Sequence, residues 1–335
     1  MKKLASIFLS LCLVSSFANS VFAWGPDGHK TVGNIASMRI NSHTRNKIRE
    51  ILKPQETLGG IANWADSVKT RMGQHDSDTD TDAFLQDNHN NGNGNWHFDD
   101  LPLGCGSYDT CNGFTPDDDV VHLINACIRA LQNNPNPDHP LSRRNALRML
   151  VHLVGDLHQP LHVGSGYINE NGPNNTIVIV RDPNSVSSST PSDRGANALI
   201  IDGREKNLHS FWDGDLVHLL MSQKHQPNAS ALAQFLRNTV TPQPEWNALG
   251  PIETWASQWA TDSLKVSVTE TFATVRITRK RVVTTTSHGQ RITKTVYDIR
   301  RGNNYNNNNV PVVRNQLAKG GFRLAKLLDA IFANQ

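Results

Sequence analysis

Two histidine–aspartate pairs, each with a spacing of four residues, are the part of the sequence that most clearly suggests chemistry. His152 and Asp156 form one pair, and His209 and Asp213 form the other. Residues four apart lie on one face of a helix, so each pair would present an imidazole nitrogen and a carboxylate oxygen together. Zinc binds both ligand types at about 2.0–2.2 Å. One such pair is often only a solvated or capped helix face, but two pairs together with His162 predict a metal site.

Further candidate ligands lie in three segments closer to the N-terminus. His29 follows Trp24 in Trp-Gly-Pro-Asp-Gly-His, Asp66 lies in Asn-Trp-Ala-Asp-Ser, and His97 lies in Asn-Trp-His-Phe-Asp-Asp. If Trp24 is the first residue of the mature chain, its amine and carbonyl can chelate a metal in a five-membered ring. Removal of the preceding residues would then be a step in assembling the site.

The segment before Trp24 has the features of a secretory signal peptide over residues 1–23. Lys2 and Lys3 precede a short apolar run, and the segment ends in Ser-Val-Phe-Ala at Ala23. The run is too short to cross a membrane, and no later stretch approaches about 18 uninterrupted apolar residues. We therefore expect a protein that is secreted or periplasmic after cleavage between Ala23 and Trp24, without a membrane anchor.

The composition is that of a globular protein and excludes fibrous, collagen-like and wholly disordered chains. The 335 residues are 37% hydrophobic and 19% charged, with 23 Gly and 16 Pro. Removing Lys2 and Lys3 from the 33 basic residues leaves 31 against 30 acidic ones. Net charge therefore neither favours nor excludes a nucleic acid as partner.

Three cysteines lie beyond the predicted signal peptide. Cys105 and Cys111 flank the turn-rich segment Gly-Ser-Tyr-Asp-Thr, which favours a disulfide with a small loop in an oxidising compartment. Cys127 shares an apolar stripe with Leu123 and Leu131. That position predicts a buried free thiol.

Apolar residues at spacings of three and four predict that mainly helical elements position the candidate ligands. The predicted helices lie around residues 29–52, 118–132, 147–157 and 317–331. The predicted strands cover 176–180, 198–202 and a hairpin of 271–285 with 291–299 about Ser287-His288-Gly289. The polar stretches 73–95 and 303–309 predict loops.

Together these segments resemble the S1/P1 nuclease family of secreted zinc-dependent single-strand nucleases and 3′-nucleotidases, which is similar in fold and metal site to bacterial zinc phospholipase C. The matching segments occur in family order: Trp-Gly-Pro-Asp-Gly-His (24–29), Trp-Ala-Asp-Ser (64–67), Trp-His-Phe (96–98), Val-His-Leu-Val-Gly-Asp-Leu-His-Gln-Pro-Leu-His (151–162), Asn-Leu-His-Ser-Phe-Trp-Asp (207–213) and Leu-Ala-Lys-Gly-Gly-Phe-Arg-Leu-Ala (317–325). The resemblance implies a single, mainly α domain of the phospholipase C/P1 nuclease type over residues 24–335, with small β-hairpin excursions.

The resemblance also implies a cluster of three zinc ions. The implied ligands of the three ions are, in turn, Asp66, His97, His152 and Asp156; Trp24, His29 and a shared Asp156; and His162, His209 and Asp213. A water shared by two zinc ions can have its pKa lowered from about 16 to roughly 7, which supplies a nucleophile for phosphodiester hydrolysis near neutral pH. The third, more open ion would take the leaving 3′-oxygen.

The residues beside the implied ligands suggest how substrate would be handled. Asp66 would also orient the bridging water, and Lys69, one turn later, would offset phosphate charge. Phe98 and Asp100 follow His97 where the family stacks and hydrogen-bonds a nucleobase, an arrangement that suits an unpaired base. The alternatives are an exposed helical Lys69, a core Phe98 and a turn residue Asp100. His158 lies within the longest motif and is assigned no metal.

Some positions depart from the family pattern. Asp193-Arg194-Gly195-Ala196-Asn197 has Ala196 where a second glycine is expected, and Asp262 departs from the family's usual acidic residue in 255–263. These departures concern loop geometry and substrate preference, because they lie away from the implied ligands.

A basic β-hairpin at about 266–301 looks like an insertion relative to the family. It predicts either a phosphate-binding arm or a solvated edge that resists aggregation. On the first interpretation, neutralising Arg279, Lys280 and Arg281 weakens cleavage of long single strands more than that of mononucleotides.

The predicted function is that of a secreted trizinc phosphodiesterase. It would hydrolyse single-stranded DNA and RNA to 5′-phosphorylated nucleotides by attack of a zinc-bridging water, with 3′-nucleotidase activity. We expect a monomer with no stable protein partner. A zinc-dependent phospholipase C is one alternative, against which Phe98, Asp100 and the lack of an apolar membrane-docking stripe argue. A secreted zinc-binding protein without turnover is the other.

Overall fold

Helices are the main secondary structure of the residues that the structure describes. The computed structural model describes residues 24–88, 95–135, 140–187, 189–287 and 290–335. Within these ranges the protein is mainly α with few and mostly short strands, which confirms the predicted fold class. None of the helices in the described ranges combines the length and the apolar character needed to cross a membrane. The predicted signal peptide and the turn at His288-Gly289 lie outside the described residues.

Side-chain caps fix where several helices begin. The α-helices are α1 (Pro26–Ser37), α2 (Ser42–Ile51), α3 (Leu58–Ile61), α4 (Trp64–Lys69), α5 (Thr79–Asp87), α6 (Val120–Leu131), α7 (Arg143–Leu157), α8 (Leu208–Ser210), α9 (Leu216–Gln223), α10 (Ala229–Thr239), α11 (Trp255–Val266) and α12 (Tyr305–Phe332). The side chain of Asp119 accepts from the His122 N–H before α6, and that of Ser142 accepts from the Asn145 N–H before α7. The predicted helix around 118–132 is therefore α6.

The strands are short except for one hairpin. They are β1 (Leu101–Pro102), β2 (Gly164–Ser165), β3 (Ile168–Asn169), β4 (Val178–Ile179), β5 (Leu199–Ile201), β6 (Arg276–Ser287) and β7 (Gln290–Arg300). β1 pairs with β2 in parallel, and β3 pairs with β4 antiparallel. The predicted hairpin, β6 and β7, forms a sheet of order β5-β7-β6, in which β5 runs parallel to β7.

Helix α7 lies at the centre of the apolar core. Every residue from Arg144 to Leu157 is buried, and α1, α6, α11 and α12 all pack against α7. Burial of an apolar side chain such as Leu150 or Val154 contributes about 1.5–3 kcal/mol. Because this packing surrounds α7 on several sides, its polar residues His152 and Asp156 are held in the interior with no exposed surface.

The polar stretch 73–95, predicted as a loop, contains helix α5, so that prediction is wrong for part of its length. The Asp78 side chain caps α5 by accepting from the Thr81 N–H, and Phe84 and Leu85 are buried in the core. Burial of these two apolar residues therefore stabilises a helix within the polar stretch. Residues 89–94 of the stretch lie outside the described residues.

The second predicted loop, 303–309, is also mostly helical, because α12 begins at Tyr305. Tyr305 is buried, and its hydroxyl accepts from Trp212 Nε1 at 2.9 Å and donates to the carbonyl of Thr271 at 2.8 Å. Asn309 is buried as well, and its amide donates to the carbonyl of Tyr305. These tertiary partners, which composition does not reveal, order the asparagine-rich start of the helix.

Acidic partners engage the basic residues near the base of the β6–β7 hairpin. Buried Asp298 forms ion pairs with Arg279 and Arg281, each with an N–O distance of 2.6 Å. Lys280 pairs with Glu170 at 2.6 Å. The three side chains considered for a phosphate-binding arm, Arg279, Lys280 and Arg281, are therefore engaged in ion pairs. These pairs connect the two strands of the hairpin and connect the hairpin to Glu170, which follows β3. The sequence analysis did not predict this pairing.

The cysteines are placed as the sequence predicts. Cys105 and Cys111 form a disulfide across the small loop. Cys127 is a buried free thiol on α6, and burial raises its pKa. The disulfide loop contains Tyr108, whose hydroxyl donates to the cap residue Asp119 at 2.6 Å.

Candidate metal centre

Asp156 is the centre of the first group of candidate ligands. Its Oδ2 lies 2.9 Å from Nδ1 of His97 and 3.2 Å from Nε2 of His152, and its Oδ1 lies 3.3 Å from Nε2 of His29. Oδ1 of Asp66 lies 3.6 Å from Nε2 of His152. All five side chains are buried. One carboxylate therefore faces three imidazoles, with a second carboxylate beside them.

The first group is assembled from α1, α4, α7 and the 3₁₀ turn Asn95–His97. The ring of His29 on α1 stacks on that of His152 with centroids 3.9 Å apart. This close approach needs Gly155 on α7, because a Cβ there would lie 2.6 Å from Nδ1 of His29. The glycine within the longest sequence motif thus makes room for a ligand that lies far away in the chain.

We expect Gly155→Ala to weaken metal binding, since the added methyl would push His29 away from Asp156. Loss of orientation at one ligand should lower zinc affinity by about 10–100-fold, as measured by zinc titration of the metal-free protein. Gly214→Ala is the matched control, because no atom lies within 4 Å of an added Cβ there although Gly214 follows Asp213. An equal loss of affinity in both variants would contradict this role of Gly155.

His162, His209 and Asp213 form a second group. Nε2 of His209 lies 3.2 Å from Nε2 of His162 and 3.4 Å from Oδ2 of Asp213. His209 lies on α8, and Asp213 lies on the π-helical segment Phe211–Asp215, so the predicted four-residue spacing operates across a change of helix type. Such π segments are frequent at functional sites. The Nδ1 of His162 lies 4.0 Å from Oδ1 of Asp156, so the two groups adjoin.

Backbone carbonyls set the tautomers of three of the rings. The Nδ1 atoms of His152, His162 and His209 donate to the carbonyls of Ala62, His97 and Gly195, at 2.8, 2.6 and 2.6 Å. A carbonyl only accepts, so Nδ1 carries the proton and Nε2 of a neutral ring offers a lone pair. This is the usual way in which a protein orients a histidine metal ligand.

The donor set fits a cation rather than a hydrogen-bonded network. The facing Nε2 lone pairs of His162 and His209 repel each other unless a cation or a proton lies between them. Oδ1 of Asp66, Oδ1 of Asp156 and Nε2 of His29 are buried and have no hydrogen-bond partner among the described residues. Buried polar atoms without partners are costly. Imidazole nitrogens with carboxylate oxygens are ligands that suit zinc.

Burial and charge shift the protonation of these ligands in opposite directions. Burial lowers the pKa of His97 to about 4, of His162 to about 3 and of His209 to about 4. Burial alone would also lower the pKa of His152, but the charges of Asp156 and Asp66 outweigh it and raise that pKa to about 9. A metal-free centre therefore holds an imidazolium at His152, whose charge takes the place of a cation.

Asp213 differs from Asp156 in its preferred charge state. Burial raises the pKa of Asp213 well above the usual range, despite the bond that Gln159 donates to it. Burial would raise the pKa of Asp156 too, but His152 and the other imidazoles hold it well below that range. Asp213 therefore keeps its proton to a higher pH than a free aspartate, whereas Asp156 loses its proton at a lower pH.

Zinc uptake should release a proton from His152 near pH 7.5, because a metal ligand must be deprotonated and the pKa of His152 is raised to about 9. Since this pKa is raised, zinc displaces the proton at pH values below it, and the apparent affinity should increase as the pH rises toward about 9. The raised pKa of Asp213 acts in the same direction. Calorimetric titration in two buffers of different ionisation enthalpy measures the release. Zinc binding without proton release would contradict the assignment.

Lys69 lies on α4, one turn after Asp66, and is half-buried. Its charge lowers the pKa values of His97, His162 and His209, although burial is the larger cause. The half-buried position differs from the fully exposed helical lysine considered as the alternative. The role of Lys69 toward phosphate stays a prediction.

Phe98 and Asp100 adjoin the second group through β1 and β2. The Asp99 N–H donates to the carbonyl of His162 at 2.9 Å. Phe98 is half-buried and is not part of the apolar core among the described residues. Asp100 has a φ of 56°, and its Oδ1 accepts from Ser165 Oγ. The two residues thus follow His97 closely in the chain and have no ligating geometry of their own. Their base-binding role stays a prediction.

Trp24 is fully buried next to the second group. The N–H of the following Gly25 donates to the carbonyl of Asp213 at 2.8 Å. The start of the described chain is therefore bonded to a segment that bears two candidate ligands. The prediction of a free amine at Trp24 depends on cleavage after Ala23, and residues 1–23 lie outside the described ranges.

Sequence reasoning missed two positioning residues, Gln159 and Ser165. Gln159 Nε2 donates to Oδ1 of Asp213 at 2.7 Å, and its Oε1 accepts from the Leu161 N–H at 2.6 Å. Ser165 Oγ connects Asp100 with the N–H of Gly195, which lies 2.6 Å away. Gln159 lies between the candidate ligands Asp156 and His162 in the longest motif, so its position in the sequence could have indicated a role. No local sequence pattern indicates a role for Ser165.

His158 and Asp262 belong to a separate structural network. His158 Nδ1 donates to the carbonyl of Val154, and its Nε2 accepts from Arg323 Nη1 at 3.3 Å. Burial, followed by the charge of Arg323, holds the pKa of His158 well below its usual range. Asp262 pairs with the same arginine. This network attaches α12 and α11 to the end of α7, and His158 is not among the clustered candidate ligands.

Comparison with known families matches residues 24–333 to S1/P1 Nuclease. Endonuclease 2 of Arabidopsis thaliana is 22% identical over 331 residues, covering 94% of this chain and 92% of the relative. Nuclease P1 of Penicillium citrinum is 25% identical over 329 residues, covering 93% of this chain and 99% of the relative. Nuclease S1 of Aspergillus oryzae is 28% identical over 211 residues, covering 60% and 57%.

Proposed function

Because the chain belongs to the S1/P1 nuclease family, we propose that it is a secreted zinc-dependent phosphodiesterase. It hydrolyses single-stranded DNA and RNA to 5′-phosphorylated nucleotides and removes phosphate from 3′-nucleotides. The main support for the proposal is that the two buried groups of histidines and carboxylates adjoin. Nδ1 of His162, in the second group, lies 4.0 Å from Oδ1 of Asp156, in the first. Adjoining metal groups suit phosphodiester hydrolysis, in which charge builds on several oxygens.

We assign three zinc ions to these residues. The ligands that the resemblance implies for the three sites are, in turn, Asp66, His97, His152 and Asp156; Trp24, His29 and Asp156; and His162, His209 and Asp213. The ligand atoms of His162, His209 and Asp213 lie close together, as do those of His97, His152 and Asp156, and those of His29 lie close to Asp66 and His152. The buried oxygen atoms without partners and the facing imidazole lone pairs support a cationic occupant. When bound, zinc lowers the pKa of water to about 7 and neutralises charge on phosphoryl and leaving oxygens.

The protein's own groups position water and substrate. Asp66, whose buried Oδ1 has no hydrogen-bond partner among the described residues, would orient the attacking water. Lys69 neutralises phosphate charge. The half-exposed ring of Phe98 stacks on an unpaired base, and Asp100 accepts a hydrogen bond from the base edge. A duplexed base cannot reach this ring, so single strands are preferred.

Secretion and assembly are part of the same proposal. Residues 1–23 form a signal peptide, and cleavage between Ala23 and Trp24 frees the amine that ligates zinc. Residues 24–335 act as one catalytic domain with the β6–β7 hairpin as an insertion, and the protein works as a monomer. The fully buried position of Trp24 beside the second group supports a role for its main chain.

Metal analysis combined with turnover tests the proposal. Protein whose first residue is verified as Trp24 is assayed before and after chelation with single-stranded DNA, RNA, 3′-AMP and a phosphatidylcholine. We expect about three zinc ions per chain and chelator-sensitive cleavage of the nucleic acids and of 3′-AMP. Lipid turnover alone would identify a phospholipase C instead, and bound zinc without any turnover would identify a zinc-binding protein.

A further inference from the structure

The turn at residues 193–196 has an unusual left-handed backbone. Arg194, Gly195 and Ala196 have φ values of 57°, 57° and 67°. Buried Asp193 fixes the turn, because its Oδ1 accepts from the Ala196 N–H at 2.8 Å. Residues other than glycine rarely adopt this conformation, because their Cβ atom is crowded there. Strained backbone of this kind is concentrated at functional sites. The turn is therefore held in place rather than free to adopt an ordinary loop conformation.

This turn contacts both parts of the proposed substrate site. The carbonyl of Gly195 accepts from Nδ1 of His209 at 2.6 Å. The N–H of Gly195 donates to Ser165 Oγ at 2.6 Å, and Ser165 Oγ donates to Asp100 Oδ1. Gly195 thus orients His209, a candidate metal ligand. Through Ser165 it also orients Asp100, whose carboxylate is assigned to the base.

Arg194 precedes Gly195 and presents an uncommitted guanidinium at this junction. Its side chain is exposed and makes no ion pair or hydrogen bond within the ranges that the structure describes. The turn that bears Arg194 is bonded to the Asp100 carboxyl, because the Gly195 N–H donates to Ser165 Oγ and Ser165 Oγ donates to Asp100. The charge of Arg194 accordingly lowers the pKa of Asp100, against the larger effect of burial and after the bond from Ser165. Arg279 and Arg281, by contrast, are both paired with Asp298.

We propose that Arg194 binds the 5′-phosphate of the nucleotide whose base lies against Phe98 and Asp100. This inference rests on the proposed function, in which the 3′ side of that nucleotide faces the metal ligands. Its own 5′-phosphate is then the remaining anion of the same nucleotide. Guanidinium groups bind phosphate through paired, charge-assisted hydrogen bonds. Arg194 is thus a positioning residue that favours polynucleotides over nucleoside 3′-monophosphates.

The test compares two substrates that differ only in the 5′-phosphate, adenosine 3′-monophosphate and adenosine 3′,5′-bisphosphate. In Arg194→Gln we expect KM for the bisphosphate to rise by about 10-fold or more, with kcat and zinc content little changed. KM for the monophosphate should stay the same, and Arg194→Lys should recover part of the effect. Arg204→Gln is the control, because Arg204 is exposed and affects the pKa of Arg301 instead.

A binding measurement separates this inference from the proposed function. Adenosine 5′-monophosphate has no 3′-phosphate to lose, so its Kd can be measured by calorimetry against adenosine as reference. We expect a Kd about 10-fold higher in Arg194→Gln and unchanged in Arg204→Gln. If the wild type turns over neither 3′-phosphorylated substrate, the proposed function fails while this comparison still decides the role of Arg194. Equal effects on monophosphate and bisphosphate, or no effect on either, would overturn the inference.

Discussion

Asp156→Asn should lower cleavage of single-stranded DNA by at least about 10³-fold. The amide keeps the size of the side chain but removes the charge that faces His29, His97 and His152 at 3.3, 2.9 and 3.2 Å. An amide NH₂ group cannot ligate a metal, and loss of residues that merely orient ligands already costs about 10–100-fold. Zinc content should fall from about three ions to about one, held by the second group.

Asp262→Asn is the matched control for this variant. Asp262 is a partly exposed aspartate that pairs with Arg323 and lies outside the groups of candidate ligands. It should keep full zinc content and activity within about threefold of the wild type, since Asp262 is no candidate ligand. Its thermal stability should fall, because the variant removes the charge that faces the buried Arg323. Full zinc content and near-normal cleavage in Asp156→Asn would show that Asp156 does not join two metal sites.

An extra Ala placed before Trp24 should remove one zinc ion and lower cleavage by about 10²-fold or more, while the protein stays folded. The extension converts the terminal amine into an amide, which no longer offers a lone pair to a metal. The added residue must also fit next to Trp24, which is fully buried, and near the hydrogen bond between Gly25 and Asp213. Metal analysis, thermal unfolding and single-strand cleavage measure the three quantities.

The control can be built into the same molecule. A protease recognition sequence that ends directly before Trp24 gives an inactive precursor, and cleavage should restore both the zinc ion and the activity. Equal activity before and after cleavage would contradict a metal-binding role for the amine. A precursor that is inactive and also unfolded would point instead to a steric requirement for the buried Trp24.

Local sequence patterns predicted the parts of the site that depend on helix geometry. His152 and Asp156 meet because residues four apart on a helix lie one turn from each other, and α7 is a regular helix. The disulfide of Cys105 and Cys111 was predictable because only five residues of turn-forming chain separate its ends. His209 and Asp213 meet as predicted even though Asp213 lies on a π-helical segment.

Features that depend on distant partners were not predictable from these patterns. The helical start of α12 depends on the bond between Tyr305 and Trp212, and α5 depends on burial of Phe84 and Leu85. Nothing local indicates that Asp298 neutralises Arg279 and Arg281 in the hairpin. A charge pattern describes which groups are present, whereas their pairing depends on which strands become neighbours.

If the chain is exported and cleaved before Trp24 as we propose, the bond between Gly25 and Asp213 has a consequence for the order of events. A chain that crosses a membrane N-terminus first exposes Trp24 long before the residues around Asp213 have emerged. Early removal of the signal peptide would leave the tryptophan and its amine in solvent until that distant segment arrives to cover them. Zinc loading is then a late event that reports completed folding, so a truncated or stalled chain would leave the export machinery without an intact metal centre.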